Sequence, residues 1–387
     1  MSDFKTTSDY SLVSVVLPKR TGEPVLKSLS ANGIRHIIQS TSRGTLLNEG
    51  GGFFQKMFPP PSPEQELIQF LVPGSKVLKT MEDAVVAGRL NYAGAGAIFA
   101  MPCTGDVQYT DEFPLLLGDP IAESKDGEDG LRGMDTLNVD MEAIICIIEI
   151  GTGEVMAEAA LRSGSAGPTI TYGEGGGVRD KIRLLRLTKG PEKEIVIAVV
   201  DKGESDQIFT EMARAGRINE PGRGFMYTTP VNRGVINVST TFSTQHAGAT
   251  IDQIVAVLDE IKGGKEWRVG TLAADSNNKG VGKPKLLTDL TPLVGLFCNV
   301  HRDHYQFIYD AILSAGAGGV SGIFGILRDP QQAADAANEE WASIQTSIAP
   351  KALDKVRDAI KETIKANNIN RACLFAHSIG KAATYLP

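Results

Sequence analysis

Apolar residues follow two rhythms along this chain. Short β-branched runs of strand length alternate with stretches in which apolar residues return every three or four positions, the patterns of buried strands and amphipathic helices. Residues 11–17 (Ser-Leu-Val-Ser-Val-Val-Leu) end at Pro18 and predict a strand. Residues 23–32 predict a helix closed by Gly33 as a left-handed stop. Strands are predicted at 34–40 and 66–72, separated by a glycine- and proline-rich loop over 43–63. Val77, Leu78, Met81 and Val85 share one face of a helix predicted over 75–87, and a glycine-rich segment leads to a fourth strand at 97–101.

The same order then returns. Strands at 142–149, 168–172, 194–200 and 225–229 enclose helices at 153–161 and 204–215. A looser third pass places strands at 293–300, 319–327, 343–348 and 372–377, helices at 303–314 and 351–366, and a polar helical insert at 330–340. Two Glu-Gly-Gly-Gly loops (49–52 and 174–177) and two Ala-Gly-Arg-(Leu/Ile)-Asn segments (87–91 and 215–219) fall at matching places. The expectation is an α+β fold of tandem ferredoxin-like βαββαβ units. These are unit one at 9–105, a linker at 106–140, unit two at 141–240, an αβ spacer or insertion at 241–290 (helix 251–262, strand 266–272), and a diverged unit three at 291–387. Such a unit covers one sheet face with its two helices and leaves the other bare, so three sheets packed in a pseudo-threefold arrangement would cover one another.

At the glycine loops the chain resembles the PII signal-transduction superfamily. Unit one has Ala87-Gly88-Arg89-Leu90 and then Gly94-Ala95-Gly96-Ala97-Ile98-Phe99; unit two has Ala215-Gly216-Arg217-Ile218 and then Gly222-Arg223-Gly224-Phe225-Met226. Leu17-Pro18-Lys19 is similar to the Lys-Pro that follows the family's first strand. The resemblance implies a family trimer fused end to end, with adenine nucleotide phosphates cradled by these loops between units and a signalling T-loop at 43–63 and 174–192. The departures are equally specific. Ala97 and Phe225 stand where the family has a phosphate lysine, Asn237 and Ser239 where it has paired arginines, and Asn367-Asn368-Ile369-Asn370 replaces the third glycine loop.

Backbone N–H groups of a glycine loop can converge on an anion, since glycine reaches the needed dihedrals and removes side-chain obstruction. The candidate ligand-binding residues are therefore Gly88, Arg89, Gly94, Gly96, Glu174, Gly216, Arg217, Gly222, Arg223 and Gly224. Arg89, Arg217 and Arg223 would supply guanidinium forks for phosphate or carboxylate. An adenine nucleotide, another small anion and purely structural turns all stay open. Loop 43–63 carries Phe53, Phe54, Met57 and Phe58 beside a triple proline, which suits packing on its own chain, a protein partner or self-association.

Other signals are weaker. His301 and His304 stand three apart, close enough to share a metal on one helical face, with no third ligand at matching spacing. Glu149, Glu154 and Glu174 are candidate general bases or solvated turn charges. Net charge is −7 and no Lys/Arg run occurs, which argues against nucleic acid. No apolar run approaches the roughly 20 residues of a bilayer span, so membrane insertion is not expected. The first residues lack a secretory pattern, and four scattered cysteines read as buried thiols of a cytoplasmic protein. Three functions follow: a PII-like sensor of a small anion, an enzyme in a diverged inter-unit cleft, or a self-assembling structural protein.

Overall fold

The computed structural model describes residues 4–46, 63–116, 137–177, 192–238, 292–328 and 339–385. The fold is mixed α+β. Among the described residues, sixteen strands join in one antiparallel sheet and six helices cover it.

The first stretch runs β2 (Tyr10–Pro18), α1 (Glu23–Ala31), β3 (Ile37–Gly44), β4 (Glu64–Pro73), α2 (Gly74–Gly88) and β5 (Gly96–Pro102), after a short β1 (Phe4–Thr7). After β6 (Val107–Thr110), the second runs β7 (Met141–Glu149), α3 (Gly153–Arg162), β8 (Thr169–Gly177), β9 (Glu192–Asp201), α4 (Ser205–Ala215) and β10 (Gly224–Val231). After β11 (Arg233–Asn237), the third runs β12 (Leu293–His301), α5 (Tyr305–Ser314), β13 (Gly319–Arg328), β14 (Glu340–Ile348), α6 (Leu353–Ala366) and β15 (Ala372–Ile379), and ends in β16 (Ala382–Thr384).

Within each stretch the spatial order is second strand, third, first, fourth: β3-β4-β2-β5, β8-β9-β7-β10 and β13-β14-β12-β15. The strand that follows each stretch leaves it. β6 pairs with β15, β11 with β5, and β16 with β10. At the opposite edges the three second strands pair with one another, β3 with β8, β8 with β13, and β13 with β3.

Burial explains why the strands read as nearly continuous apolar runs, as expected of a sheet covered on both faces. Along β2, Val13, Val15 and Leu17 pack under α1 and α2, while Leu12 and Val16 enter a central core. Likewise Ile144, Cys146 and Ile148 of β7 face their helices, and Ala143 and Ile145 the centre. Leu296, Cys298 and Val300 of β12 face α5 and α6, and Phe297 the centre. One central core thus draws on all three stretches, and each stretch adds an outer core beneath its own helix pair.

Four expectations are corrected. The second strand starts at Ile37, not residue 34, because His36 has a left-handed φ of 53° and turns the chain first. Glu174-Gly175-Gly176-Gly177 belongs to β8 and is no loop. Its glycines let the neighbouring backbone approach: a Cβ on Gly173 would meet the Gly322 carbonyl oxygen at 2.4 Å, and one on Gly175 the Val320 oxygen at 2.9 Å. The linker 106–140 contains a paired strand, β6. Glu340 opens β14 rather than closing a helix. Residues 330–338 of the predicted insert, most of loop 43–63, residues 178–191 of the second long loop, the spacer 241–290 and Ser239 lie outside the described residues.

Candidate functional site

The two glycine loops are built alike. Arg89 (φ 51°) and Arg217 (φ 54°) turn left-handed after α2 and α4. Leu90 and Ile218 then drop fully buried into the outer cores. Gly94 and Gly222 (φ 81° and 75°) and Gly96 and Gly224 (φ 134° and 138°) bring the chain back into the sheet. A Cβ at Gly96 would sit 2.1 Å from the Val16 carbonyl oxygen, and at Gly224 2.3 Å from that of Ile147, so no other residue fits. Gly88 and Gly216 serve a different purpose. Their missing side chains admit Val25 of α1 and Met156 of α3. In the third stretch Asn368 (φ 52°) and buried Ile369 repeat the turn, but β15 follows at once and the loop is shorter.

Each loop is met by a strand from elsewhere in the chain. Asn237 of β11 lies opposite Gly96 and donates from Nδ2 to the Leu90 carbonyl at 2.6 Å. Thr384 of β16 donates from Oγ1 to the Gly224 carbonyl at 2.7 Å. The charges differ. Arg217 Nε donates to Glu220 Oε1 at 2.6 Å, and Arg223 lies 3.5 Å from Glu220 Oε2 and 4.0 Å from Glu149. A carboxylate of the loop itself thus occupies both guanidinium groups. The first loop has Tyr92 where the second has Glu220, three residues after the arginine, and Tyr92 is 63% exposed beside an exposed Arg89.

Glu174 does not join these loops. It sits on β8, three strands across the sheet from Gly224, roughly 14 Å at ordinary strand spacing. There its Oε1 accepts from Arg302 Nη2 at 2.7 Å, and its carbonyl from the Tyr305 hydroxyl at 3.4 Å.

Beside the loops lies a feature that sequence reading missed. Glu66 of β4 and Glu194 of β9 occupy matching registers, paired with Leu17 and Ile148. Each grips the turn between the first strand and first helix of its stretch. Glu66 Oε1 accepts from the Arg20 N–H at 2.6 Å; Glu194 Oε2 accepts from Gly151 and Gly153 at 2.9 and 2.6 Å. The matching Glu-x-Glu openings of two strands, Glu64-Gln65-Glu66 and Glu192-Lys193-Glu194, each running into an apolar stretch, are the signal that would have found them. In the third stretch the matching position is Ala342, and His301 Nδ1 takes over by accepting from the Asp303 N–H at 3.3 Å.

Glu194, 3% exposed, also binds Arg43, which crosses from β3. Arg43 donates to Glu154, to Glu194 at 3.1 Å and to the Tyr172 hydroxyl at 2.8 Å. Burial opposes its charge, but these bonds outweigh burial and raise its pKa above the ordinary guanidinium value. The ring centroids of His301 and His304 are 6.1 Å apart. Burial, and then the neighbouring His301, lower the pKa of His304. Among the described residues no three His, Cys, Asp or Glu side chains are placed to hold a metal. All four cysteines are free thiols, and burial pushes Cys103 up to about 12. No described helix is long and apolar enough to cross a membrane.

No family model matches the chain, and no curated protein matches it. Among solved structures it is similar to Arabidopsis thaliana PII bound to citrate, at 20% identity over 24% of this chain and 80% of that one, with a TM-score of 0.20. It is also similar to aspartate kinase from Synechocystis (7% identity, 98% and 46% covered, TM-score 0.21). A mutant chlorite dismutase from Candidatus Nitrospira defluvii gives 8% identity, 63% and 92% covered, and a TM-score of 0.17. Likenesses this slight carry no argument about function.

Proposed function

We propose that this chain is a PII-like sensor or regulatory protein. On this reading, three fused units, 9–105, 141–240 and 291–387, stand in a pseudo-threefold arrangement and a small anion binds at the seam bordered by loop 88–96. One observation carries the reading. The strand following each stretch crosses to the fourth strand of another, so that β11 brings Asn237 onto the first glycine loop. Ligand contacts at such a seam would report on how two units sit together, which is what a regulatory protein needs.

The first loop is the better anion site. Its Arg89 and Tyr92 face solvent with no loop carboxylate at the matching position, whereas an anion at the second would have to displace Glu220 from Arg217. Arg223 and Glu220 then serve loop closure. An adenine nucleotide stays among the candidates, but Ala97 and Asn237 supply no positive charge where the resemblance calls for it. Binding should therefore favour fewer charges than a triphosphate carries.

Isothermal titration of the full chain with bicarbonate, AMP, cyclic AMP, ADP and ATP tests this. Heat is expected from at least one of the first three. Arg89→Ala should weaken that binding about 10- to 100-fold, the loss of one charge-assisted contact, while Arg217→Ala should leave it within about twofold. No heat from any of the five overturns the reading. Consumption of the ligand during the titration would favour the enzyme reading instead.

A further inference from the structure

The backbones of β3, β8 and β13 present three similar edges, and an unpaired edge accepts any strand of suitable register. Backbone pairing alone cannot decide which edge joins which. The side chains at one matched position differ in charge. Arg43 stands two residues past Thr41, which pairs with Glu66; Glu174 stands two past Tyr172, which pairs with Glu194; Ile326 stands two past Phe324, which pairs with Ala342.

The receiving surfaces differ to match. Arg43 is taken by Glu154 and buried Glu194 of the second stretch. Glu174 is taken by Arg302 of the third, whose guanidinium lies over the Phe324 ring at 3.3 Å. At the last seam a neutral group receives: Arg328 donates to Gln39 at 2.9 Å, and Gln39 to Glu66 at 3.0 Å.

We infer that these side chains are an assembly code that orders the three second strands. Were the β8 edge laid on the turn of the second stretch in another copy, Glu174 would face Glu154 and Glu194. Were β3 laid on the third, Arg43 would face Arg302, where the carboxylate is replaced by Ala342. Like charges in a half-buried seam disfavour these two wrong joinings, while the opposite charges favour the right ones. The code thus works against pairing of β8 with β8-like receiving turns on a second copy of the chain. It is independent of what binds at loop 88–96, and ligand titration does not test it.

The test is charge reversal in the full chain. Glu174→Arg sets two guanidinium groups against each other and fits the β8 edge to the acidic turn of another copy. Light scattering should show a larger mass than wild type at equal concentration, with a lower urea midpoint. The double variant Glu174→Arg/Arg302→Glu should restore both. If Glu174→Arg precipitates, a soluble double variant of wild-type mass still supports the code, and an equally insoluble one overturns it. Wild-type mass and midpoint in Glu174→Arg also overturn it.

Discussion

Gly224 and Gly96 show how a single missing atom fixes a turn. Their φ values of 138° and 134° lie where other residues are strained, and the neighbouring carbonyl oxygens close the space a Cβ would need. Gly224→Ala should cost about 2–4 kcal/mol in urea unfolding, from strained backbone plus clash. Gly105→Ala is the control: φ is +71° there with open space around it, so only about 1 kcal/mol should be lost. Equal losses at the two sites would mean that the clash adds nothing to the strain of the turn. His377 carries a second residue-scale prediction. It is 1% exposed against Phe297 and Phe375, and burial pulls its pKa down to about 4, with the Pro102 backbone offsetting a little. The unfolded ring takes up its proton near pH 6.5, whereas the native ring does so only near 4. The unfolded state therefore binds more protons between these values, and stability falls as pH drops through that window, by roughly 3 kcal/mol in all. In His377→Phe that share of the decline should vanish when urea midpoints are followed from pH 7 to 4.

At the scale of elements, the strands and helices were largely legible because both faces of each strand are covered. Runs such as 144–148 stay apolar at every position, and the helices keep their three- and four-residue spacing. What escaped was whatever depends on a distant backbone. Glycines 175–177 look like a turn until β13 is laid beside them, and Val107–Thr110 is too short to stand out until β15 supplies its partner. Nothing near Arg43 in sequence announces Glu194, which is buried where the first and second stretches meet. The glycine loops were readable to their left-handed positions, but their charges were not: the pairing of Arg217 with Glu220 depends on the loop's folded shape. The turn-gripping carboxylates give this scale its test. Glu194→Ala would leave Arg43 without a buried partner and two N–H groups unsatisfied, a loss of about 3–5 kcal/mol. Glu66→Ala strands one backbone N–H and one amide and should cost less, about 1–3 kcal/mol. Urea unfolding of the two variants should preserve that order, and the reverse order would contradict the part given to Arg43.

At the scale of the whole molecule, the central core leaves no stretch an inner face of its own. Val16, Ile145 and Phe297 come from three different stretches and bury one another. Removing any one stretch would return two apolar sheet faces to water, at about 25 cal/mol for each Å² exposed. Phe113 makes the dependence concrete. It follows the first stretch, is 1% exposed, stacks on His36 at 3.6 Å and lies 5.0 Å from Trp341 of the third stretch, over whose ring the Arg371 guanidinium sits at 5.0 Å. A ring shared in this way couples the stretches: its loss weakens the packing of both. The chain should therefore unfold in one step despite its length. Far-UV circular dichroism and tryptophan fluorescence should share one midpoint in urea. Phe113→Ala should lower that midpoint by the equivalent of about 3–5 kcal/mol without splitting the curve. A biphasic curve, or probes whose midpoints part, would mean that the stretches fold separately and the shared core does not bind them. A single shifted transition would mean that the three stretches fold as one cooperative unit, because no stretch can rearrange its inner face alone.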